Sequence, residues 1–261
     1  MIVMKVSLKT MIDVYLMQKN GYEIFKSVIS ANECELLKNE IVKSSEPHMA
    51  HSELMWNLRT DKRIKSIFEY LWKTEDLIVG FDGVNHRSKY QEGLVLPWHV
   101  DQDESHPDGV QCYQSLLAIQ KSDKSTGSIS VLPRSHLHHR ALANRLGDGS
   151  GGWEFLEIPD DDIIFKQCMT PVVPSLDVGD LFVWDSRTAH CVLPPDTNSE
   201  RTVAYFSYVP KSFCTPEVCQ ARLRAFTEGI STTHWPHRFV DRGDPRCNGQ
   251  KLFNIDRLNL I

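Results

Sequence analysis

Residues 96–102 read Leu96-Pro97-Trp98-His99-Val100-Asp101-Gln102. An imidazole and a carboxylate stand two residues apart at the end of an apolar run. In a β-strand, side chains at i and i+2 point to the same face. His99 and Asp101 can therefore converge on one point. Two donors are too few for a tight metal site, so the reading of this stretch depends on a third donor from another strand.

The chain beyond Leu77 reads mainly as strands separated by turns. The candidate strands are 77–86, 94–102, 111–120, 128–132, 170–173, 181–184, 190–193 and 202–209. Turn signals punctuate them at Asp82-Gly83, Pro107-Asp108-Gly109, Thr126-Gly127, Gly179-Asp180 and Pro194-Pro195. Many short strands with regular turns predict a sandwich or barrel. Upstream, Thr10 caps a short helix that Asn20-Gly21 stops, and GYEIFKSVIS (21–30) alternates like a strand. Ser30 and Glu33 form a capping box for a helix to about Lys43, with Cys34, Leu36, Leu37 and Ile41 as its buried stripe. DKRIKSIFEYLW (61–72) predicts a further amphipathic helix, and PEVCQARLRAFTEGI (216–230) another. The glycine-rich run at 147–152 lacks the context of a phosphate loop and reads as a connection or lid.

The bulk composition narrows the function classes. Lys+Arg is 29 and Asp+Glu is 34, a net charge of −5, and no long basic run occurs. A nucleic-acid footprint is not indicated. No run has the roughly eighteen apolar residues of a membrane span, and the first twenty residues read as structure rather than a leader. The seven cysteines are scattered, without a CxxC. They predict free thiols and a reducing, cytoplasmic setting.

Of the eleven histidines, His190 is placed best. It lies in DVGDLFVWDSRTAHCV (177–192), where it opens a strand after a buried one. Eleven residues later Arg201 opens RTVAYFSYV (201–209). An arginine at the head of an apolar strand is costly to bury unless an anion meets it, and a carboxylate suits its fork. Two histidines and one carboxylate on one face are the ligand set of non-haem Fe(II) oxygenases, although zinc or manganese would also accept them.

With LPWHVDQ, SLLAIQKSDKSTGSISVLPRSH (115–136), DVGDLFVWDSRTAHCV and Arg201 in this order, the chain from about Gly21 to Pro210 resembles the phytanoyl-CoA dioxygenase-like family of Fe(II)/2-oxoglutarate-dependent oxygenases. The resemblance implies a mainly β fold with flanking helices around a double-stranded β-helix, a jelly-roll, cupin-like core. The chain is expected to be a single domain (1–261) with N-terminal helical and strand support (1–76), a jelly-roll core (77–210) and a C-terminal helix and coil (211–261). The resemblance implies His99, Asp101 and His190 as iron ligands and catalytic residues. Arg201 would hold the distal carboxylate of 2-oxoglutarate, with Leu116 as a weaker co-substrate position. Fe(II), 2-oxoglutarate and O2 are then the expected cofactors. The reaction would oxidise a small organic molecule by hydroxylation, desaturation or cyclisation, releasing succinate and CO2. The presence of Asp101 speaks for oxygenation over halogenation. Departures from the family pattern fall at Arg134, Val192 and Leu116.

Other residues keep two readings. Gln102 meets substrate or caps a strand end, Asn85 lines the cavity or the surface, and Trp98 packs or touches substrate. His136, His138 and His139 read as a solvated loop. STTHWPHRF (231–239) is either a surface coil stabilised by Trp235 or a cover whose Arg238, with Arg242 beyond it, meets an anionic substrate. The segments 86–98, 103–110 and 140–165 would form the lid. A monomer or small homo-oligomer is expected. The same chemistry on a protein or nucleic-acid side chain, and a non-catalytic metal-binding jelly roll, stay open.

Overall fold

The structure, a computed structural model, describes residues 15–44, 49–88, 95–103, 105–106, 108–147, 155–196, 198–238 and 259–261. Two antiparallel sheets face one another. The larger contains β1 (Tyr22–Phe25), β8 (Leu181–Asp185), β5 (Tyr113–Ala118), β10 (Arg201–Pro210) and β2 (Leu77–Val79) in that order, and β3 (Val84–Arg87) also pairs with β10. The smaller runs β6 (Ile129–Val131), β9 (His190–Val192), β4 (Leu96–Val100) and β7 (Leu156–Glu157). This is the jelly-roll core expected above, open at its edges rather than closed into a barrel.

The apolar runs without alternation follow from burial on both faces. Leu116, Ala118, Phe182, Trp184 and Val203 point between the sheets, where they meet Ile129 and Val131 of β6. Their neighbours Leu117, Leu181, Val183, Ala204 and Phe206 point outward. There they pack under α1 (Ala31–Lys43), α2 (Glu53–Thr60), α3 (Lys62–Trp72) and α6 (Pro216–Glu228). A strand with two buried faces has no polar register to alternate with.

The predicted strand 77–86 is two strands. Gly80 and Gly83 bracket a break, and the Gly83 carbonyl accepts from Tyr205 N at 2.9 Å. β10 therefore pairs β3 along its first half and β2 along its second. Residues 170–173 form no strand, only an isolated bridge between Val172 and Val131. The turn into β8 needs Gly179: at φ +88° a Cβ would stand 1.9 Å from the Ile29 carbonyl oxygen.

The Ser30 capping box is present. Ser30 Oγ accepts from Glu33 N at 3.3 Å and the Glu33 carboxylate accepts from Ser30 N at 3.0 Å. Cys34 and Ile41 are buried and Leu37 packs partly. Leu36 is 70% exposed, because the buried stripe runs 34, 37, 41 and Leu36 falls beside it. Helix α2 escapes a periodicity reading because Leu54, Met55, Trp56, Leu58 and Arg59 are all buried. The Arg59 guanidinium reaches the Ala50 carbonyl at 2.6 Å and lies 4.7 Å over the Trp56 ring. The cap proposed at Thr10, Cys247 and Arg242 lie outside the described residues. The six cysteines within them are free, and no helix among them is long and apolar enough to cross a membrane.

His51 joins the helical layer to the C-terminal part. Its Nε2 donates to the Ile230 carbonyl at 2.8 Å, and its ring meets Phe81 edge-on at 4.9 Å. Burial, helped by the Arg59 charge, pushes its pKa down from 6.5 to about 4. In that window the unfolded chain takes up a proton that the folded chain refuses, so stability falls as pH drops. His51→Phe should lower the slope of stability against pH there by up to about 1.4 kcal/mol per pH unit. Guanidinium denaturation between about pH 7 and about pH 4.5 reads this directly, and an unchanged slope would contradict it.

Candidate metal centre

The centre is built on one register. His99 on β4 stands opposite His190 on β9. Between Leu96 and His99 the pairing is irregular: three steps on β4 match two on β9. Pro97, which has no N–H to give a ladder, occupies this bulge. The two imidazole centroids are 4.2 Å apart. Asp101 follows β4 directly. The ligating atoms of His99, Asp101 and His190 all lie within 4.8 Å of one another, and the three residues are 3%, 8% and 5% exposed.

Each histidine is oriented by its own backbone. His99 Nδ1 donates to the Pro97 carbonyl at 2.7 Å, and His190 Nδ1 to the Thr188 carbonyl at 2.9 Å. These bonds assign the tautomer and leave both Nε2 lone pairs facing Asp101. Their distances to its carboxylate oxygens are 3.8 Å and 3.4 Å. Burial pushes His190 down to about 4 and keeps it neutral. Burial alone would raise the Asp101 carboxyl. Positive charge on the surrounding His234, His190 and His99 rings when they are protonated, and the Gln114 amide, outweigh it and hold it below the usual range. Gln114 Nε2 donates to Asp101 Oδ2 at 2.7 Å. Neutral imidazoles and an ionised carboxylate are the forms that bind a divalent cation. The donor set fits iron, and its atoms are close enough to share one ion.

Arg201 faces the same inter-sheet space further along. Its Nε donates to Ser122 Oγ at 3.0 Å and its Nη1 to Asn85 Oδ1 at 3.3 Å. Among the described residues no carboxylate pairs with it; the buried Asp180 is held by Lys26 at 2.7 Å. Arg87 is its register partner on β3. Burial and the Arg201 charge lower the Arg87 pKa. Asn85, Arg87, Ser128, Val192, Arg201 and Tyr205 line one cavity. Val192, two residues beyond His190 on β9, brings the cavity to the strand that carries one of the three donors. Leu116 lies in the apolar inter-sheet wall beside Phe182 and Trp184, where it can offer shape but no polar contact.

Several expected roles change. Gln102 is fully buried. Its amide donates to the His106 and Gly109 carbonyls at 2.5 and 2.9 Å, and its oxygen accepts from Gln111 N and Ser186 Oγ at 3.1 and 2.8 Å. With both ends occupied, it shapes the 102–111 loop and has nothing left for a substrate. Trp98, one residue from His99, sits on the opposite face against Phe165, with ring centroids 5.4 Å apart. Of the histidine group after β6, His136 and His139 are buried rather than solvated, and His138 is half-buried. His139 donates to the Gln102 carbonyl at 2.7 Å and His136 to the Gln18 carbonyl at 3.0 Å. Arg134 takes φ 71°, the left-handed region glycine favours, so this departure from the family pattern keeps the turn. Arg238 is held by Asp103 at 3.6 Å and lies 5.1 Å over the Trp235 ring. Gln114 and His234 were missed. Neither stands in a motif, and only the unusual composition of 231–239 hinted at the second. Of the proposed lid, 89–94, 104, 107 and 148–154 lie outside the described residues. Phe155, next to them, places its ring 4.6 Å from His99.

Fold and donor set together define a class: jelly-roll proteins with a buried cluster of two histidines and one carboxylate between the sheets. The chain belongs, more particularly, to the phytanoyl-CoA dioxygenase (PhyH) family, whose sequence profile matches residues 40–203. The Ava biosynthesis cluster protein O of Aspergillus versicolor is 26% identical over 212 residues, covering 76% of this chain and 68% of its own. Among solved structures, SnoN, the non-heme alpha-ketoglutarate-dependent epimerase of nogalamycin biosynthesis, superposes with a TM-score of 0.60 at 17% identity, over 77% of this chain and 83% of that one. HygX of Streptomyces hygroscopicus, with nickel and 2-oxoglutarate bound, gives 0.56 at 16% identity, over 79% and 87%. EctD of S. alaskensis in its apo form gives 0.59 at 16%, over 79% and 78%. At these identities the solved structures speak for the fold alone.

Gln102→Ala removes four hydrogen bonds of a buried amide, the one from Ser186 fully buried. It should cost roughly 3 kcal/mol and open the 102–111 loop to protease. Chemical denaturation and limited proteolysis measure both, and a variant as stable and as resistant as the parent would show the loop to be held elsewhere.

Proposed function

We propose that the chain is an Fe(II)- and 2-oxoglutarate-dependent oxygenase acting on a small organic molecule. The observation that carries this reading is the convergence of two oriented imidazoles and one carboxylate within 4.8 Å, together with a cavity lined by Arg201 and by Val192, two residues beyond His190. Three protein donors on one face of an ion leave positions for a chelating co-substrate and O2. When bound, iron and 2-oxoglutarate supply the oxidising chemistry, with succinate and CO2 as by-products.

The chain's own part is binding, orientation and exclusion of water. His99, Asp101 and His190 hold the ion. The carbonyls of Pro97 and Thr188 fix the two rings, and Gln114 fixes the carboxylate. Arg201 meets the distal carboxylate of 2-oxoglutarate, and Ser122 and Asn85 steady its guanidinium. Arg87 adds positive potential to the same cavity, which favours a dianion over a neutral acid. The wall of Leu116, Phe182 and Trp184 keeps the inter-sheet space dry. SnoN and the Aspergillus relative are named for biosynthesis, and the recessed donors suit a small molecule better than a polymer.

Anaerobic addition of Fe(II) and 2-oxoglutarate should give a weak visible charge-transfer band. His99→Ala should abolish it, and Arg201→Leu should raise the 2-oxoglutarate concentration needed by roughly ten- to a hundredfold. A folded protein that shows no band, or an Arg201→Leu variant that titrates like the parent, would sink the assignment. Succinate release screened over metabolite classes, peptides and RNA then separates the small-molecule reading from a polymer one.

A further inference from the structure

After α6 the chain turns back over the sheet edge as a strap, residues 231–238. Thr232 Oγ1 accepts from Phe81 N at 3.0 Å, and Thr232 N donates to the Phe81 carbonyl at 3.1 Å. Trp235 is 2% exposed among Ile78, Cys112 and Val209. Arg222 donates to the Pro236 carbonyl at 2.9 Å, and Cys112 Sγ to the His234 carbonyl at 3.5 Å. These contacts fix the backbone of His234 from both sides.

Its imidazole reaches inward. His234 Nε2 stands 3.7 Å from Asp101 Oδ1, and it is buried with no hydrogen-bond partner among the described residues. Such an unsatisfied nitrogen costs about 1–3 kcal/mol, so its retention asks for a partner. Asp101 is too distant to be that partner by hydrogen bonding. The separation matches those of His99 and His190 from the same carboxylate, 3.8 and 3.4 Å. Donors sharing one ion at about 2.1 Å stand about 3.0–3.4 Å apart, depending on geometry.

We propose that His234 is a fourth protein donor to the ion held by His99, Asp101 and His190, presented by the strap in the absence of co-substrate. The inference rests on the triad reading above. His234 stands outside the tight group of three and joins it through Asp101, so ligation draws its ring inward by side-chain rotation. A donor carried on a strap, rather than on a paired strand, is replaceable. It holds a coordination position until the stronger chelator 2-oxoglutarate takes it.

Cobalt(II) titration of the full chain tests this by visible absorption. The wild type, His234→Ala, His234→Gln and His99→Ala are compared, with 2-oxoglutarate absent and then present. Without 2-oxoglutarate, both His234 variants should bind cobalt about tenfold more weakly and show a weaker, water-coordinated spectrum. Millimolar free imidazole should restore the wild-type spectrum in His234→Ala, and 2-oxoglutarate should make the spectra of wild type and His234 variants coincide. The glutamine variant serves if the alanine variant does not fold. Wild-type and His234-variant spectra that already coincide without 2-oxoglutarate overturn the inference while leaving the triad intact. Weaker binding with an unchanged spectrum does the same and leaves His234 a structural role. A His99→Ala variant that binds cobalt as tightly as the wild type overturns the triad and this inference together.

Discussion

The centre depends on one strand pairing, the register that sets His99 opposite His190. Side chains alternate along a strand, so a slip of one residue would turn His99 outward and bring Trp98 or Val100 into its place. The surroundings guard against that slip. The bulge at Pro97 fixes the offset, and Ile158 N donates to the Trp98 carbonyl at 2.7 Å on the far side of β4. Beyond the strand end, Gln102 N donates to the Ser186 carbonyl at 3.1 Å, while the Gln102 side chain and His139 clamp the turn. The apolar layers on both faces of the larger sheet then hold the neighbouring strands in place.

Within that frame the electrostatics run against stability. A buried carboxylate costs several kcal/mol unless it is paired. Asp101 has one clear hydrogen bond, from Gln114, and three imidazoles at 3.4–3.8 Å, none close enough to hydrogen-bond it well. Arg87 and Arg201, each 8% exposed, stand as register partners further along the same space. Arg87 donates to the Thr126 carbonyl, and no carboxylate among the described residues pairs with Arg201, so anionic and cationic groups are kept apart. That separation suits a cation at one end and a dianion at the other, which meet each other when both are present.

How much of this was legible in the sequence follows from the range of each interaction. His99 and Asp101 are read from strand periodicity, and His190 and Arg201 from their places at strand heads, so these four candidates are visible locally, while their roles come from the family resemblance. The sandwich was legible from its turns. The break at Gly80–Gly83 was not, because β10 pairs with both halves and only the pairing reveals it. Helix α2 was hidden because all but a narrow stripe at Glu53, Asn57 and Thr60 is buried, Arg59 included. Gln114, His234 and the true role of Gln102 depend on contacts between residues distant in sequence, which leave no spacing to read. Gln102 is instructive: beside a metal ligand it looks functional, yet its buried amide is consumed by backbone groups.

Both triad histidines use one device. In each, Nδ1 bonds the carbonyl of the residue two positions earlier, Pro97 for His99 and Thr188 for His190. The aim of each ring is therefore written into a tripeptide rather than into the packing of remote helices. Pro97 lends itself to this, since a residue with no ladder N–H stands at a bulge where its carbonyl is available. A site assembled from such self-aimed units is modular. Loops, straps and helices can drift through evolution and reshape what enters, while the donors inherit their orientation unchanged. One scaffold can in this way pass the same chemistry from one substrate to the next without rebuilding its centre.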